Sequence, residues 1–302
     1  MSWLNVEDKI AGCKWIPELS SNQGLLYKQI VKGYSVTHTC EILEQQPITD
    51  NIYRMRIKAG EIVRSARPGQ FVNIRITSGI DPLLRRPFSI HRIDSDKGEI
   101  VLLYRVIGRG TELMSKMPPG NSVDIMGPLG NGFNIQFPFD HAVIVAGGMG
   151  SAPVFFLLDE LRKSDKKITL LWGAREGVEI FQENELRDQG IDLQIATENS
   201  SKGYSGFVTD LLEIYLSKHK DGHACSGFVC GPECMIKKVQ EIILSCDFQW
   251  QASLEERMAC GVGVCLGCAI LNRKKGLQMV CKEGPVFNLR AVSYTHLRAH
   301  ET

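Results

Sequence analysis

The spacing of the cysteines near the end of the chain constrains its fold more than any other feature. Four of the ten cysteines lie between positions 260 and 281, in a C-x4-C-x2-C run followed by one more distant partner: Cys260, Cys265, Cys268 and Cys281. Gly261, Gly263 and Gly267 lie between them and permit the tight curl that brings three thiolates together. Such crowding indicates metal ligation and not a disulfide framework spread over the chain.

The pattern C-x4-C-x2-C…C is the spacing of plant-type [2Fe–2S] ligation. In such a site the thiolates surround two irons and their bridging sulfides, and the curled loop directs backbone N–H groups at the sulfurs. Zinc is the main alternative, although structural zinc usually draws its ligands from paired C-x2-4-C motifs. The spacing therefore predicts a [2Fe–2S] cluster on the four cysteines, with zinc or unligated thiols as alternatives.

The length and charge of the chain exclude several classes of function. With 302 residues, the chain has room for about two domains of roughly 150 residues each. Lys and Arg number 35 against 34 Asp and Glu, so no basic field attracts nucleic acid or an anionic membrane. The longest uncharged stretch, residues 142–158, is interrupted by glycines and by Pro153, which is unlike a membrane helix. Since the N-terminus shows no secretory signal, we expect a cytoplasmic protein without nucleic-acid or membrane partners.

The spacing of hydrophobic residues along the sequence changes midway along the chain. Residues 39–139 contain short β-branched and aromatic runs between turn signals, which is typical of a small antiparallel barrel. In residues 140–250, apolar strands alternate with helical patterns, as in a doubly wound parallel sheet. Residues 251–290 form the cysteine module, residues 1–38 are an N-terminal extension of unknown role, and residues 291–302 are interpreted as a non-native tail. The predicted fold is a β barrel, an α/β domain and a small C-terminal metal module.

Two turns in the barrel segment are suited to phosphate. Arg86-Pro87-Phe88-Ser89 ends a predicted strand, and its arginine could hold a pyrophosphate bidentately with Ser89 set against a flavin ring. In the run from Tyr104 to Thr111, glycines allow close backbone approach and Thr111 could cap a short helix that faces an anion. Taken alone, the first motif is also consistent with an ordinary Arg-Pro loop. The second is also consistent with a hairpin-to-helix turn that carries solvated arginines.

Two turns in the α/β segment are suited to a dinucleotide. Gly147-Gly148-Met149-Gly150 follows a strand and opens a helix, although Pro153 stands where the third glycine of G-x-G-x-x-G would fall. Cys230-Gly231-Pro232 follows a later strand, at the carboxyl edge where parallel sheets bind ligands. On their own, these motifs also fit a tight strand-to-helix turn and a small buried residue before a helix.

The order of these signals resembles the ferredoxin reductase superfamily, in which an FAD-binding barrel precedes a nicotinamide domain that ends in Cys-Gly-Pro. The runs from Met258 to Ala269 and from Val280 to Phe287 narrow the resemblance. They are similar to the electron-transfer subunits of NAD-dependent dihydroorotate dehydrogenase B complexes. The resemblance covers about residues 40–288, and it implies FAD, a [2Fe–2S] cluster and NAD as co-substrate.

The resemblance also implies roles for individual positions. FAD would be held by residues of the barrel segment: Arg86, Pro87, Phe88, Ser89, Leu103, Tyr104, Arg105, Gly110 and Thr111. The nicotinamide nucleotide would be held by the two sheet-edge turns: Gly147, Gly148, Gly150, Gly231 and Pro232. Ser89 and Cys230 would take the catalytic positions, and Phe88 replaces a tyrosine that many members of the superfamily carry.

By the same resemblance, the chain passes electrons from a partner subunit to NAD⁺ in de novo pyrimidine biosynthesis. An FMN-bearing catalytic subunit would oxidise dihydroorotate, and two copies of each subunit would form a heterotetramer. Electrons would cross the cluster to FAD, which would deliver hydride to NAD⁺. The carboxylates of Glu176 and Glu198 favour NAD over NADP, although Arg175 alone would suit a 2′-phosphate. The alternatives are a diaphorase subunit of a hydrogenase or an NADPH:ferredoxin reductase complex, and a non-catalytic zinc-bearing assembly module.

Overall fold

The computed structural model describes residues 37–219 and 224–294. The predicted N-terminal extension lies outside the described residues except for its last two positions, and of the predicted tail only residues 291–294 are described. Within the described residues, no helix is both long and apolar enough to cross a bilayer.

The first six strands form a closed antiparallel barrel, and two short helices, α1 (Gly60–Val63) and α2 (Arg109–Ser115), lie between them. The strands are β1 Thr37–Pro47, β2 Ile52–Lys58, β3 Phe71–Arg75, β4 Arg86–Asp94, β5 Glu99–Arg105 and β6 Ser122–Leu129. Around the barrel they follow the order β1-β2-β5-β4-β3-β6. Because side chains alternate along a strand, Val72 and Ile74 of β3 pack in the barrel core while Phe71 packs outward. The predicted antiparallel barrel is confirmed.

Seven further strands form a second sheet, which is parallel except at one edge. They are β7 His141–Gly147, β8 Lys167–Ala174, β9 Asp192–Thr197, β10 Tyr204–Ser205, β11 Cys225–Cys230, β12 Gln249–Ser253 and β15 Val286–Asn288. The strand order is β10-β9-β8-β7-β11-β12-β15, and the last pair is antiparallel. The chain adds strands β8, β9 and β10 on one side of β7 and then returns to add β11 and β12 on its other side. This change of direction at β7 defines a doubly wound sheet, as predicted.

Helices cover both faces of this sheet. They are α3 Ser151–Leu161, α4 Glu183–Asp188, α5 Val208–Lys218 and α6 Glu233–Ile242. Alternate residues of β7 explain the two layers: Ala142 and Ile144 pack with α3 and α4, whereas Val143 and Val145 pack with α5 and α6. Short 3-10 turns lie at Gly148–Gly150, Gly177–Glu179, Ile243–Ser245 and Leu289–Ala291.

The cysteine module is attached to the large sheet at both of its ends. Strand β12 precedes the module and pairs with β11, and β15 follows its last cysteine and pairs with β12. Between them, β13 (Ala269–Asn272) and β14 (Gly276–Met279) form a small sheet with β16 (Val292–Ser293). Residues 254–268, which carry three of the four cysteines, contain no helix or strand. The larger fold therefore fixes the ends of a loop that has little regular structure of its own.

Candidate functional site

A cavity of about 390 Å³, here called the barrel cavity, opens where the barrel meets the parallel sheet and the cysteine module. Of the nine residues predicted to hold FAD, all but Gly110 line it: Arg86, Pro87, Phe88, Ser89, Leu103, Tyr104, Arg105 and Thr111. The sheet and the module complete the wall with Met149, Ala152, Ser253, Glu255, Met258 and Pro285. The structure thus brings two sequence-distant turns of the barrel to one site.

Gly110 supports the cavity from behind Arg86. A Cβ atom at position 110 would lie 3.0 Å from Nε of Arg86, so a side chain there would displace the guanidinium. Thr111 closes the same turn, because its hydroxyl accepts hydrogen bonds from the N–H groups of Ile107 at 3.0 Å and Gly108 at 3.3 Å. Gly108 is the N-cap residue of α2, and the predicted Thr111 caps the start of the helix by accepting the N–H of Gly108.

Phe88 and Tyr104 form an aromatic wall of the barrel cavity. Their ring centroids lie 5.5 Å apart in an edge-to-face arrangement, and Tyr104 stacks on Tyr53 at 5.9 Å. Burial raises the pKa of Tyr104, and Gln45 hydrogen-bonds to its hydroxyl. The phenol therefore stays protonated, and Phe88 provides packing without adding a hydroxyl group.

A second cavity of about 660 Å³, here called the sheet-edge cavity, lies at the carboxyl ends of the parallel strands. The predicted residues Gly147, Gly148 and Pro232 line it, as do Arg175 and Glu198. This is the edge at which sheets of this topology bind nucleotides. It is adjacent to the barrel cavity, because Arg105 and Met149 line both.

Gly150 and Gly231 lie behind the sheet-edge cavity and do not line it. A Cβ atom on Gly150 would lie 2.3 Å from the carbonyl oxygen of Cys230, and one on Gly231 would lie 3.1 Å from the backbone of Gly147. Both glycines therefore allow the turn before α3 to approach the end of β11. Pro153 lies in the first turn of α3, as predicted.

Cys230 is fully buried and lines neither of these two cavities. Burial raises the pKa of its thiol, with a further contribution from Glu255, and Ser253 hydrogen-bonds to it. Ser253 and Glu255 both line the barrel cavity. Cys230 is thus connected to the cavity through Ser253, and its predicted catalytic role stays a prediction.

Glu255 is a functional candidate that the sequence analysis missed. Glu255 lines the barrel cavity and is exposed to solvent, while the protein packed around its carboxyl reduces contact with water and raises its pKa. It follows directly on β12, a parallel strand that the sequence analysis did not identify. A carboxylate placed just beyond a parallel strand was the signal that could have revealed it.

His91 anchors the glycine-rich turn to the barrel. Its Nδ1 lies 2.8 Å from the carbonyl oxygen of Ala152, in the first turn of α3. Since a carbonyl only accepts, the ring carries its proton on Nδ1 and donates it. Burial lowers the pKa of His91 to about 4, so the ring is neutral near pH 7. Arg92 adds ion pairs with Asp159 at 3.5 Å and Glu185 at 2.7 Å.

The four predicted metal ligands are brought together in two pairs. The Sγ atoms of Cys268 and Cys281 lie 3.3 Å apart, and the thiol of Cys265 hydrogen-bonds to Cys260. Within the described residues, no group of three or more His, Cys, Asp or Glu side chains surrounds a single metal-ion position. Two thiol pairs fit two metal atoms with two protein ligands each, whereas one tetrahedral zinc needs all four sulfurs around one point.

Backbone N–H groups of the curled loop are directed at the sulfurs. Val262, Val264 and Cys265 donate to Sγ of Cys260 at 3.3–3.4 Å, and Gly263 donates to Sγ of Cys281 at 3.0 Å. Burial alone would raise the pKa of Cys260, but these donors and the Cys265 thiol lower it to about 6. Burial and the neighbouring Cys268 raise the pKa of Cys281 to about 12. The donor set is that of an iron–sulfur site.

Three protein families match the chain in the order of its structural parts. "Oxidoreductase FAD-binding domain" matches residues 39–133, and "Oxidoreductase NAD-binding domain" matches residues 144–241. "Iron-sulfur cluster binding domain of dihydroorotate dehydrogenase B" matches residues 255–293. The chain is thus an oxidoreductase with FAD, NAD and iron–sulfur domains, and the predicted cofactor set of FAD, an iron–sulfur cluster and NAD is confirmed.

Curated relatives make the identification more specific. The "Dihydroorotate dehydrogenase B (NAD(+)), electron transfer subunit" of Desulforamulus reducens is 39% identical over 250 residues, covering 82% of this chain and 94% of the relative. The subunit of the same name from Fusobacterium nucleatum is 35% identical, covering 82% and 95%. The chain belongs to this family of electron-transfer subunits, which implies a catalytic partner subunit.

Solved structures show the same architecture. A chain of the NADH-dependent reduced ferredoxin-NADP oxidoreductase, solved in a study of flavin-based electron bifurcation, superposes with a TM-score of 0.76. It is 25% identical, and the match covers 86% of this chain and 92% of that one. A ferredoxin NADP⁺ reductase from Neisseria gonorrhoeae with bound FAD and NADP has a TM-score of 0.60 at 18% identity, covering 71% and 93%, and shares the fold.

Proposed function

We propose that the chain transfers electrons from an FMN-bearing, dihydroorotate-oxidising partner subunit to NAD⁺. The observation that carries this proposal is the shared wall of the barrel cavity. On one side, Arg105 and Met149 also line the sheet-edge cavity. On the other side, Met258 and Pro285 belong to the cysteine module. A group in the barrel cavity would therefore contact both the nicotinamide site and the surroundings of the cluster.

FAD is assigned to the barrel cavity. When bound, FAD exchanges single electrons with an iron–sulfur centre and hydride with nicotinamide. Arg86 would hold its pyrophosphate, because a planar guanidinium bonds two phosphate oxygens at once and Gly110 leaves room beside it. Phe88 and Tyr104 would pack against its apolar parts, and Ser89 would present a hydroxyl from the strand position opposite Phe71.

Proton handling is assigned to Glu255, with Ser253 and Cys230 behind it. A carboxyl with a raised pKa keeps its proton to a higher pH than an ordinary glutamate does, and from the cavity wall it can exchange that proton with a bound group. Cys230 stays a neutral thiol because it is buried, and it positions Ser253 by hydrogen bonding.

The [2Fe–2S] type is assigned to the cysteine site because the thiols are arranged as two pairs. Cys260 with Cys265, and Cys268 with Cys281, would each ligate one iron. The backbone N–H groups that already point at Cys260 and Cys281 would stabilise added negative charge on the sulfurs.

The preference for NAD over NADP is assigned to Glu198. Its side chain and that of Arg175 line the sheet-edge cavity, whereas Glu176 does not. A carboxylate accepts hydrogen bonds from a ribose diol and repels a 2′-phosphate.

The partner subunit is assigned to the exposed side of the cysteine loop. Val264 is 78% exposed and Leu266 is 62% exposed, and both adjoin the exposed ligand Cys265. Apolar side chains left open beside a redox ligand suit a protein interface that excludes water. We assign two copies of each subunit to the complex and a reducing, cytoplasmic location, in which the five described cysteines that are not cluster ligands stay free thiols.

The experiment is anaerobic purification of the chain together with its co-purifying subunit. We expect flavin and iron–sulfur absorption, iron and sulfide in equal amounts, and dihydroorotate-dependent reduction of NAD⁺. Zinc in place of iron would overturn the cluster assignment, and a hydrogenase partner would overturn the substrate. The mass of the complex tests the stoichiometry.

A further inference from the structure

Asn73 is a buried amide on the outer face of barrel strand β3. Its neighbours Val72 and Ile74 point into the barrel core, so Asn73 points outward on the same face of β3 as Phe71. Its exposed fraction is 0%, and neither Nδ2 nor Oδ1 has a hydrogen-bond partner among the described residues. A buried amide without a partner costs free energy unless a water molecule or a bound group satisfies it.

The cysteine loop lies directly against this amide. A Cβ atom built on Gly261 would lie 2.6 Å from Nδ2 of Asn73 and 3.3 Å from Cε of Met126. Gly261 has φ +72° and follows the ligand Cys260, so no other residue could take this conformation in this space without strain. Phe71, on the same face of β3, lines the barrel cavity and packs in the same apolar cluster as Cys268 and Cys281. Asn73 therefore lies in the wall between the barrel cavity and the cysteine loop.

We propose that Asn73 donates its amide N–H to a sulfur of the iron–sulfur cluster, near Cys260, and thereby makes the cluster easier to reduce. This rests on the proposed assignment of the cluster to the four cysteines. Sulfur accepts hydrogen bonds, and donors to it raise the reduction potential because they stabilise the added negative charge. The known donors come from the loop itself, whereas Asn73 comes from the flavin-binding barrel. Its amide would give the barrel a direct influence on the redox state of the cluster.

The test compares Asn73→Leu with the unmodified chain, both purified whole with FAD and cluster under anaerobic conditions. Leucine keeps the volume and removes the donor. We expect the midpoint potential of the cluster to become more negative and its EPR signal to change, with the FAD potential unchanged. In the cluster-free form we expect Asn73→Leu to be more stable than the unmodified chain. It should unfold at a higher urea concentration because the unpartnered amide is gone.

Ser226→Ala is the matched control. Its hydroxyl is also fully buried without a partner, but it lies on β11 in the parallel sheet. The Ser226→Ala substitution should increase the stability of the forms with and without the cluster by the same amount, and it should leave the cluster potential unchanged. If Asn73→Leu fails to fold, Asn73→Ala must move the potential in the same direction.

An unchanged cluster potential and EPR signal in a variant with an intact cluster would overturn the proposal. A shift confined to FAD would also overturn it, because the amide would then face the flavin. Absence of iron and sulfide from the unmodified chain is a different result, and it would overturn the cluster assignment itself.

Discussion

The parallel sheet and the cysteine loop position their ligands in different ways. Gly147 is the last residue of β7 and Gly148 follows it, and all seven residues of β7 are buried, so packing fixes this turn whether or not a nucleotide is bound. The cysteine loop has no helix or strand over residues 254–268 and exposes Val264 and Leu266. Four of its N–H groups, from Val262 to Cys265, donate to cysteine sulfurs. We infer from this comparison that packing preforms the sheet-edge site, whereas the cysteine loop depends on a bound metal centre for its stability.

Cys265→Ser gives the largest expected effect. Loss of one thiolate should remove the cluster, and dihydroorotate-driven reduction of NAD⁺ should fall to background while NADH-to-dye activity survives. Hydrogen exchange should accelerate in residues 259–268 and stay unchanged in β7 and β11. Steady-state assays measure the two activities and mass spectrometry measures the hydrogen exchange, on the same preparation.

Cys246→Ser is the control for a thiol outside the loop. Retention of the overall reaction in Cys265→Ser would contradict the order of electron transfer. Faster exchange throughout the sheet would contradict the independence of the two sites.

Arg86→Met tests whether Arg86 binds FAD in the barrel cavity. We expect FAD affinity to fall roughly 10- to 100-fold, the value of a charge-assisted hydrogen bond, with no change in far-UV circular dichroism. FAD titration by fluorescence quenching measures the affinity. Arg64→Met, an exposed arginine elsewhere on the barrel, should bind FAD normally. Equal affinities in the two variants would exclude Arg86 from the site.

Glu198→Gln tests selectivity within the sheet-edge cavity. Removing the carboxylate leaves Arg175 to attract a 2′-phosphate, so the ratio of kcat/KM for NADPH to that for NADH should rise about tenfold. Glu176→Gln is the matched control, because Glu176 does not line the cavity. An equal change in both variants would indicate a general charge effect and not a contact with the ribose.

The sequence predicts what depends on local pattern and spacing. The ligand spacing, the glycine turn before α3 and the alternation of strands and helices are local, and the family matches confirm the fold class that they indicate. The Arg86 turn and the Tyr104–Thr111 turn line one cavity because β4 and β5 pair, which the sequence implied only through resemblance.

What the sequence could not predict depends on packing between distant segments. Asn73 looks like an ordinary strand residue until the cysteine loop lies against it. His91 looks like one more polar residue of β4, and only the docking of α3 gives its ring a partner in Ala152. Glu255 and strand β12 were missed for the same reason, since Gln249–Ser253 becomes a strand by pairing with β11 and β15.

Substitution of His91 gives the smallest expected effect. It tests the packing of the parallel sheet and of the glycine turn before α3. Burial lowers its pKa from 6.5 to about 4, with Arg92 and Arg54 adding to this and Ala152 and Glu185 opposing it. Below pH 6.5 the unfolded chain takes up a proton that the folded chain refuses until about pH 4. The stability contributed by neutral His91 is therefore complete above pH 6.5 and is lost as the pH falls toward 4. The slope is about 1.4 kcal/mol per pH unit.

His91→Asn removes this titration and keeps an N–H donor near the position of Nδ1. The difference in unfolding free energy between the unmodified chain and His91→Asn should therefore shrink by roughly 2 kcal/mol between pH 7 and pH 5. Urea unfolding followed by fluorescence of the buried Trp172 and Trp250 measures it. His91→Phe should show the same loss of slope but lower stability at pH 7, because Ala152 loses its donor. A difference that stays constant from pH 7 to pH 5 would show that His91 takes up its proton as readily in the folded chain as in the unfolded chain, so that burial does not hold the ring neutral.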